Sequence, residues 1–143
     1  MEKKMISLFV SVILVGALFG MAAAAEQKIA LHGGPDMKQA QGEATIKDKG
    51  ADQKEITIHA TGLKPNQVYT AWLVNMKPKM DMIGVGTGDY AFKSDDKGTG
   101  HYVGAISATE LAKWEMIEIA HHPDGDPKNM KKMGIALMAD LKK

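Results

Sequence analysis

Methionine and histidine give this chain its sharpest chemical possibility. Beyond the first 25 residues the methionines are Met37, Met76, Met80, Met82, Met116, Met130, Met133 and Met138, and the histidines are His32, His59, His101, His121 and His122. Thioether sulfur and imidazole nitrogen together suit copper in an oxidising compartment. Met76-x-x-x-Met80-x-Met82 gathers three thioethers around a loop that contains Pro78. His121-His122 ends a β-prone run and is followed by Asp124 and Asp126. A metal site of His121, His122, Met80 and Met82 follows if those two loops share one end of the fold. Against it, adjacent histidines on a regular strand point to opposite faces, and methionine commonly fills irregular core gaps. Met116, Met133 and Met138 are expected to be packing residues of that second kind.

Other chemistry is weaker. Asp124-Gly125-Asp126 and Asp95-Asp96 could offer oxygens to calcium, but neither has the spacing of a calcium loop, and both read as turns. Ser94 and Ser107 sit in no nucleophile elbow. Glu115 and Glu118 fall on different faces of one short strand and read as solvent-facing polar residues, not an acid–base pair. Gly84-x-Gly86-x-Gly88 lacks the spacing and the following helix of a dinucleotide fingerprint. Trp72 is expected in the core, while Trp114, among polar residues, is the one more open to stacking on a partner. No catalytic residue and no cofactor are expected, with copper as the alternative.

Composition narrows the setting. Cysteine is absent, so disulfides, thiolate metal sites and c-type haem attachment are excluded. Every basic residue is lysine; without arginine, bidentate contacts to guanine and phosphate are missing, and nucleic acid is an unsuitable partner. Lys3 and Lys4 precede an apolar run from Met5 to Ala25 that ends in Ala23-Ala24-Ala25. This is the pattern of a cleaved secretory signal. An uncleaved anchor is the competing reading, and it would be the chain's only membrane contact. Of 18 basic and 17 acidic residues, Lys3, Lys4 and Glu2 belong to this segment, leaving sixteen of each and no net charge. The chain is therefore expected to be periplasmic or secreted.

The remaining elements must hold any site in place. The best-defined is Tyr69 to Met76, a β-prone run apolar on both alternating faces, as expected of a central, covered strand. Lys28 to Leu31 is expected to be a short edge strand. Glu43 to Lys47 and Glu55 to Thr61 alternate around an Asp48–Asp52 turn and predict a hairpin. Tyr90 to Lys93 and Gly100 to Ile106 predict another pair around Ser94–Gly98. Ser107-Ala108-Thr109-Glu110 has capping-box spacing and predicts a helical turn. Glu115 to His121 predicts a strand with Ile117 and Ile119 inward. Residues 127–141 fit either strand or helix; a helical turn near Lys128–Lys132 followed by a closing strand is the expectation. The domains so predicted are a signal segment (1–25), an N-terminal arm (26–41) and an all-β antiparallel sandwich (42–143).

One resemblance rests on the order of these signals. Gly62-Leu63-x-Pro65, Tyr69-x-x-Trp72-Leu73-Val74, Gly84-Val85-Gly86, Phe92-x-x-Asp95-Asp96-x-Gly98-x-Gly100 and Pro123-Asp124-Gly125 resemble exported Ig-like β-sandwich domains. Among these are the C-terminal domain of anti-sigma-K-type factors and the CHRD domain; small exported bacterial proteins without assigned activity are also similar. The likeness spans about Glu43 to Leu141. There is no helical domain ahead of the apolar segment, so a sigma-binding role is not carried over. The resemblance implies an Ig-like sandwich, and a fold does not define a function. The expectation is a non-catalytic binding or structural module of the cell envelope, whose partner is an envelope protein or a small ligand.

Overall fold

The computed structural model describes residues 26–142, and the signal segment expected over residues 1–25 lies outside them. Nine strands form one antiparallel sheet. They are β1 (Glu26–Gly33), β2 (Gln41–Asp48), β3 (Gln53–Thr61), β4 (Val68–Asn75), β5 (Asp81–Gly84), β6 (Ala91–Lys93), β7 (Gly100–Ser107), β8 (Met116–His122) and β9 (Gly134–Asp140). Their order is β5-β4-β8-β9-β1-β2-β3-β7, with β6 also on β4. The expected all-β class is borne out, as a sheet curled on itself so that its two halves share one core.

That core explains the alternation in the sequence. Ala44 and Ile46 of β2 and Ile56 and Ile58 of β3 meet Leu73 of β4, Ile117 and Ile119 of β8 and Leu137 of β9. Each belongs to a strand whose alternate residues point inward. The β2–β3 hairpin turns where expected, with eight residue pairs from Gln41↔Thr61 to Asp48↔Lys54. Ser107 caps α1 (Ala108–Leu111), its Oγ accepting from the Glu110 amide at 3.0 Å. A 3-10 turn at Met130–Lys132 precedes the closing strand β9, as expected for residues 127–141.

Two expectations fail. β1 is no edge strand. It pairs with β2 along its length and with β9 at His32↔Met138 and Gly33↔Leu137, so it is the hinge between the two halves of the sheet. Its mixed composition hid this, because only Ile29 and Leu31 carry apolar weight inward. The two tryptophans also exchange places. Trp114 is buried in the core at 7% exposure, whereas Trp72 lies on the opposite face of β4, half-buried. β4 is covered on both faces as predicted, but its core face carries Tyr69, Ala71 and Leu73.

β4 is bordered on one side by β8 and on the other by an interrupted strand. β6 pairs with Val68–Thr70 and β5 with Trp72–Asn75. Between them Ala71 donates to the Tyr90 carbonyl at 3.1 Å and accepts from the Val85 amide at 3.0 Å. Segment 85–90 loops out of this edge, and Tyr90 folds back over Gly84, where an added Cβ would lie 2.2 Å from the ring. On the far side, β1 and β9 splay after their two pairs. The resulting cleft of about 290 Å³ is lined by Lys28, Ala30, His32, Ala139, Asp140 and Leu141, among others. Among the described residues no helix is long and apolar enough to cross a membrane.

Leu73 is fully buried in the shared core, whereas Val103 is 47% exposed. Leu73→Ala is expected to cost about 2–5 kcal/mol and Val103→Ala less than about 0.5 kcal/mol. Urea denaturation of both variants at constant slope measures the difference.

Candidate functional site

Because directly opposed residues share a face, the registers define the outer surface of the β5-β4-β8-β9 half. One row holds Met82, Val74, Met116 and Asp140. The next holds Gly84, Trp72, Glu118 and Met138, and continues across the seam to His32. Beyond these lie Thr70 and Ala120, and then Val68 and His122. Thr70, Val74, Ala120 and His122 are fully buried and Glu118 is only 9% exposed, yet none belongs to the core cluster. A second covered surface therefore backs the core, and it carries polar groups.

Three of its side chains are linked. Trp72 Nε1 donates to Thr70 Oγ1 at 2.6 Å, and Thr70 Oγ1 lies 2.7 Å from His122 Nε2. The hydroxyl accepts from the indole and shares a second hydrogen bond with the imidazole, whose direction is set by the ring tautomer. The other ring nitrogen, Nδ1, is buried without a hydrogen-bond partner. Burial pushes the His122 pKa down; the backbone of Asn129 and the Asp124 carboxylate oppose this in part.

Glu118 differs. Its carboxylate makes no hydrogen bond or ion pair among the described residues. Burial pushes its pKa up, with no compensating partner. Its neighbours on the face are Trp72 across β4, Met138 across β9, and Met116 and Ala120 two positions away on β8. The residue is largely covered while its carboxylate oxygens stay at the rim of the face, partly desolvated and free of any protein partner among the described residues; partial desolvation of a charge carries a cost. The expectation that Glu118 faces solvent is corrected: the outward side of β8 is covered. The sequence signal for it is the series Met116-x-Glu118-x-Ala120-x-His122, a face with a single acid among residues that favour burial.

The histidines expected to bind metal part company. His121 points into the inner face at the end of the core, 2% exposed. Its Nδ1 donates to Asp36 Oδ2 at 2.9 Å, and the Gln67 side-chain amide meets Nε2 at 3.1 Å. Tyr69 lies against the ring, centroids 5.1 Å apart. Burial pushes the Tyr69 pKa up to about 12, and its hydroxyl donates to the Lys64 carbonyl at 3.1 Å. Asp36 reaches His121 by passing over Gly134, where an added Cβ would lie 2.6 Å from the Asp36 carboxyl carbon. His121 is thus a clamp joining the loop after β1, the turn before β4, and β8.

His122 faces the other side, as strand alternation requires. Met82 pairs with Val74 at one end of β4, while His122 pairs with Val68 at the other. Six residues of strand separate them, roughly 20 Å. Met80 is 54% exposed in the loop before β5. His121, His122, Met80 and Met82 therefore do not converge. Among the described residues no three His, Asp or Glu side chains gather as a metal site. His59 and His101 oppose each other on the exposed face of β3 and β7, ring centroids 6.5 Å apart. No protein-family model matches the chain, and no curated protein matches it either.

Two outcomes test these assignments. Gly134→Ala is expected to destabilise the protein by displacing Asp36 from His121, and to cost much less when Asp36 is already alanine; a double-mutant cycle by thermal melting reads the coupling. The second concerns His122. Its folded pKa lies below the ordinary 6.5, so its neutral form contributes full stability above pH 6.5. That contribution is lost as the pH falls through the folded value, because the unfolded chain then binds the extra proton. His122→Gln is expected to lose less melting temperature than the wild type on acidification below pH 6.5.

Proposed function

We propose that this protein is an exported, non-catalytic binding module of the cell envelope, periplasmic or secreted, whose ligand is a cation held over Glu118. The single observation behind the ligand is Glu118: a residue only 9% exposed, its carboxylate without a protein partner among the described residues, beside an indole and two thioethers. A cation would neutralise it, and the face of Trp72 can add a cation–π contribution. Export is supported by the basic-then-apolar leader ending in Ala23-Ala24-Ala25. The Ig-like resemblance gains support from Tyr69. Its hydroxyl bonds the backbone five residues upstream where the chain crosses from β3 to β4, an arrangement like the tyrosine corner of Greek-key sandwiches.

The reading predicts that Glu118 is kept at a cost to the empty protein. With its folded pKa above the ordinary 4.5, the protonated acid contributes stability below pH 4.5, and this is lost as the pH rises through the folded value. Glu118→Gln mimics the protonated form. Its advantage in melting temperature should be near zero at pH 4 and grow toward pH 7. In the wild type, at least one of sodium, calcium, zinc, silver(I) and tetramethylammonium should shift the Trp72 indole N–H resonance and leave that of buried Trp114 in place. If none moves it, or if Glu118→Gln responds equally, the reading fails.

A further inference from the structure

From the side chains ranged around Glu118, we infer that the cation is a soft monovalent metal, copper(I), held by the thioethers of Met116 and Met138 with Glu118 supplying the charge. The inference rests on the cation-binding reading and narrows it to one ligand class. Met138 is directly opposite Glu118 across β8 and β9, and Met116 is two positions along β8 on the same face. The diagonal from Met116 to Met138 is about 7–8 Å between backbones, a separation long side chains span. The register is regular here, because the one irregularity on β8 lies beyond, between Ile119 and Ala120. Both methionines are half-buried, so these side chains are neither sealed in the core nor as open to solvent as Met76 and Met80, at 53% and 54% exposure.

Donor chemistry selects the ion. A hard cation such as calcium takes six to eight oxygens, and this face offers Glu118 and, one row away, Asp140. Zinc sites are built from thiolate, imidazole and carboxylate; His32 lies opposite Met138 in the same row, but among the described residues no three His, Asp or Glu side chains gather as zinc requires. Thioethers do favour copper(I), whose single charge one carboxylate balances. The adjacent Trp72 indole is anchored by its Nε1–H to Thr70, which leaves its ring as a wall of the site. In a chain without cysteine, methionine is the soft donor that survives in an oxidising compartment.

The test is titration of the whole protein with silver(I) in chloride-free buffer and with copper(I) under anaerobic conditions, followed by calorimetry and by the Trp72 indole resonance. One ion of either metal is expected to bind per chain. Met116→Leu and Met138→Leu, which preserve volume and fold, should each weaken binding at least tenfold, and the double variant at least a hundredfold. Met76→Leu and Met80→Leu should leave affinity within twofold. Wild-type affinity in the Met116/Met138 double variant would overturn the inference, as would a loss confined to Met76→Leu or Met80→Leu. If silver(I) and copper(I) fail to bind while calcium, zinc or tetramethylammonium shifts the Trp72 resonance, the soft-metal inference falls and the cation-binding reading stands. If no ion shifts it, both fall.

Discussion

The ladder between β4 and β8 is the constraint on which the rest of the molecule depends. Seven consecutive pairs, from Val68↔His122 to Val74↔Met116, join the two strands, and both strands are covered on both faces. On the inner face this is ordinary hydrophobic burial: Leu73, Ile117 and Ile119 meet the β2–β3 hairpin. On the outer face every polar side chain must find a partner inside the protein or lose solvation. Thr70, Trp72 and His122 do so along one short chain of contacts that leaves His122 Nδ1 without a partner. Glu118, in the next row, joins no such chain and keeps its carboxylate at the rim.

That difference separates structural polarity from polarity available to a ligand. His121 is as buried as any core residue, yet both ring nitrogens are engaged, and three separate segments close on it. Removing any member of that clamp would loosen the end of the sheet. Glu118 holds nothing together. Its surroundings are apolar or soft, and its burial raises the free energy of its charged form. Within a domain whose net stability is only of order 10 kcal/mol, a partly desolvated carboxylate that joins no segments together is the polar group of this face open to a ligand.

Much of the fold was legible because alternation and turn chemistry act locally. The β2–β3 hairpin, the Ser107 cap and the inward Ile117 and Ile119 all follow from residues close in sequence. What escaped depends on long-range closure. Whether Trp72 or Trp114 enters the core depends on which face of β4 meets the second half of the sheet, and a strand apolar on both sides does not say. The central place of β1 arises from its pairing with β9, more than a hundred residues later. That the expected histidine–methionine group does not converge has the same cause. His121 and His122 attract notice as neighbours in sequence, but alternation sends them to opposite faces. Glu118, Met116 and Met138 come together only once β8 and β9 are in register.

The lysines sharpen the case for Glu118. Several acids on this protein have basic neighbours: Lys47 and Lys28 lie by Glu26, Lys49 by Glu55, Lys54 by Asp48, and Lys113 by Glu110. All of these pairs sit at the surface, where water already solvates the charges and the bridge contributes little. Among the described residues, the partly desolvated carboxylate of Glu118 has no basic side chain beside it. A lysine in place of Met116 or Met138 could have supplied one, at the cost of burying a second charge. Two thioethers occupy those positions instead. They add no charge of their own, so the site keeps its negative character and its polarisable walls. That combination suits a positive ion arriving from outside the chain better than any partner within it.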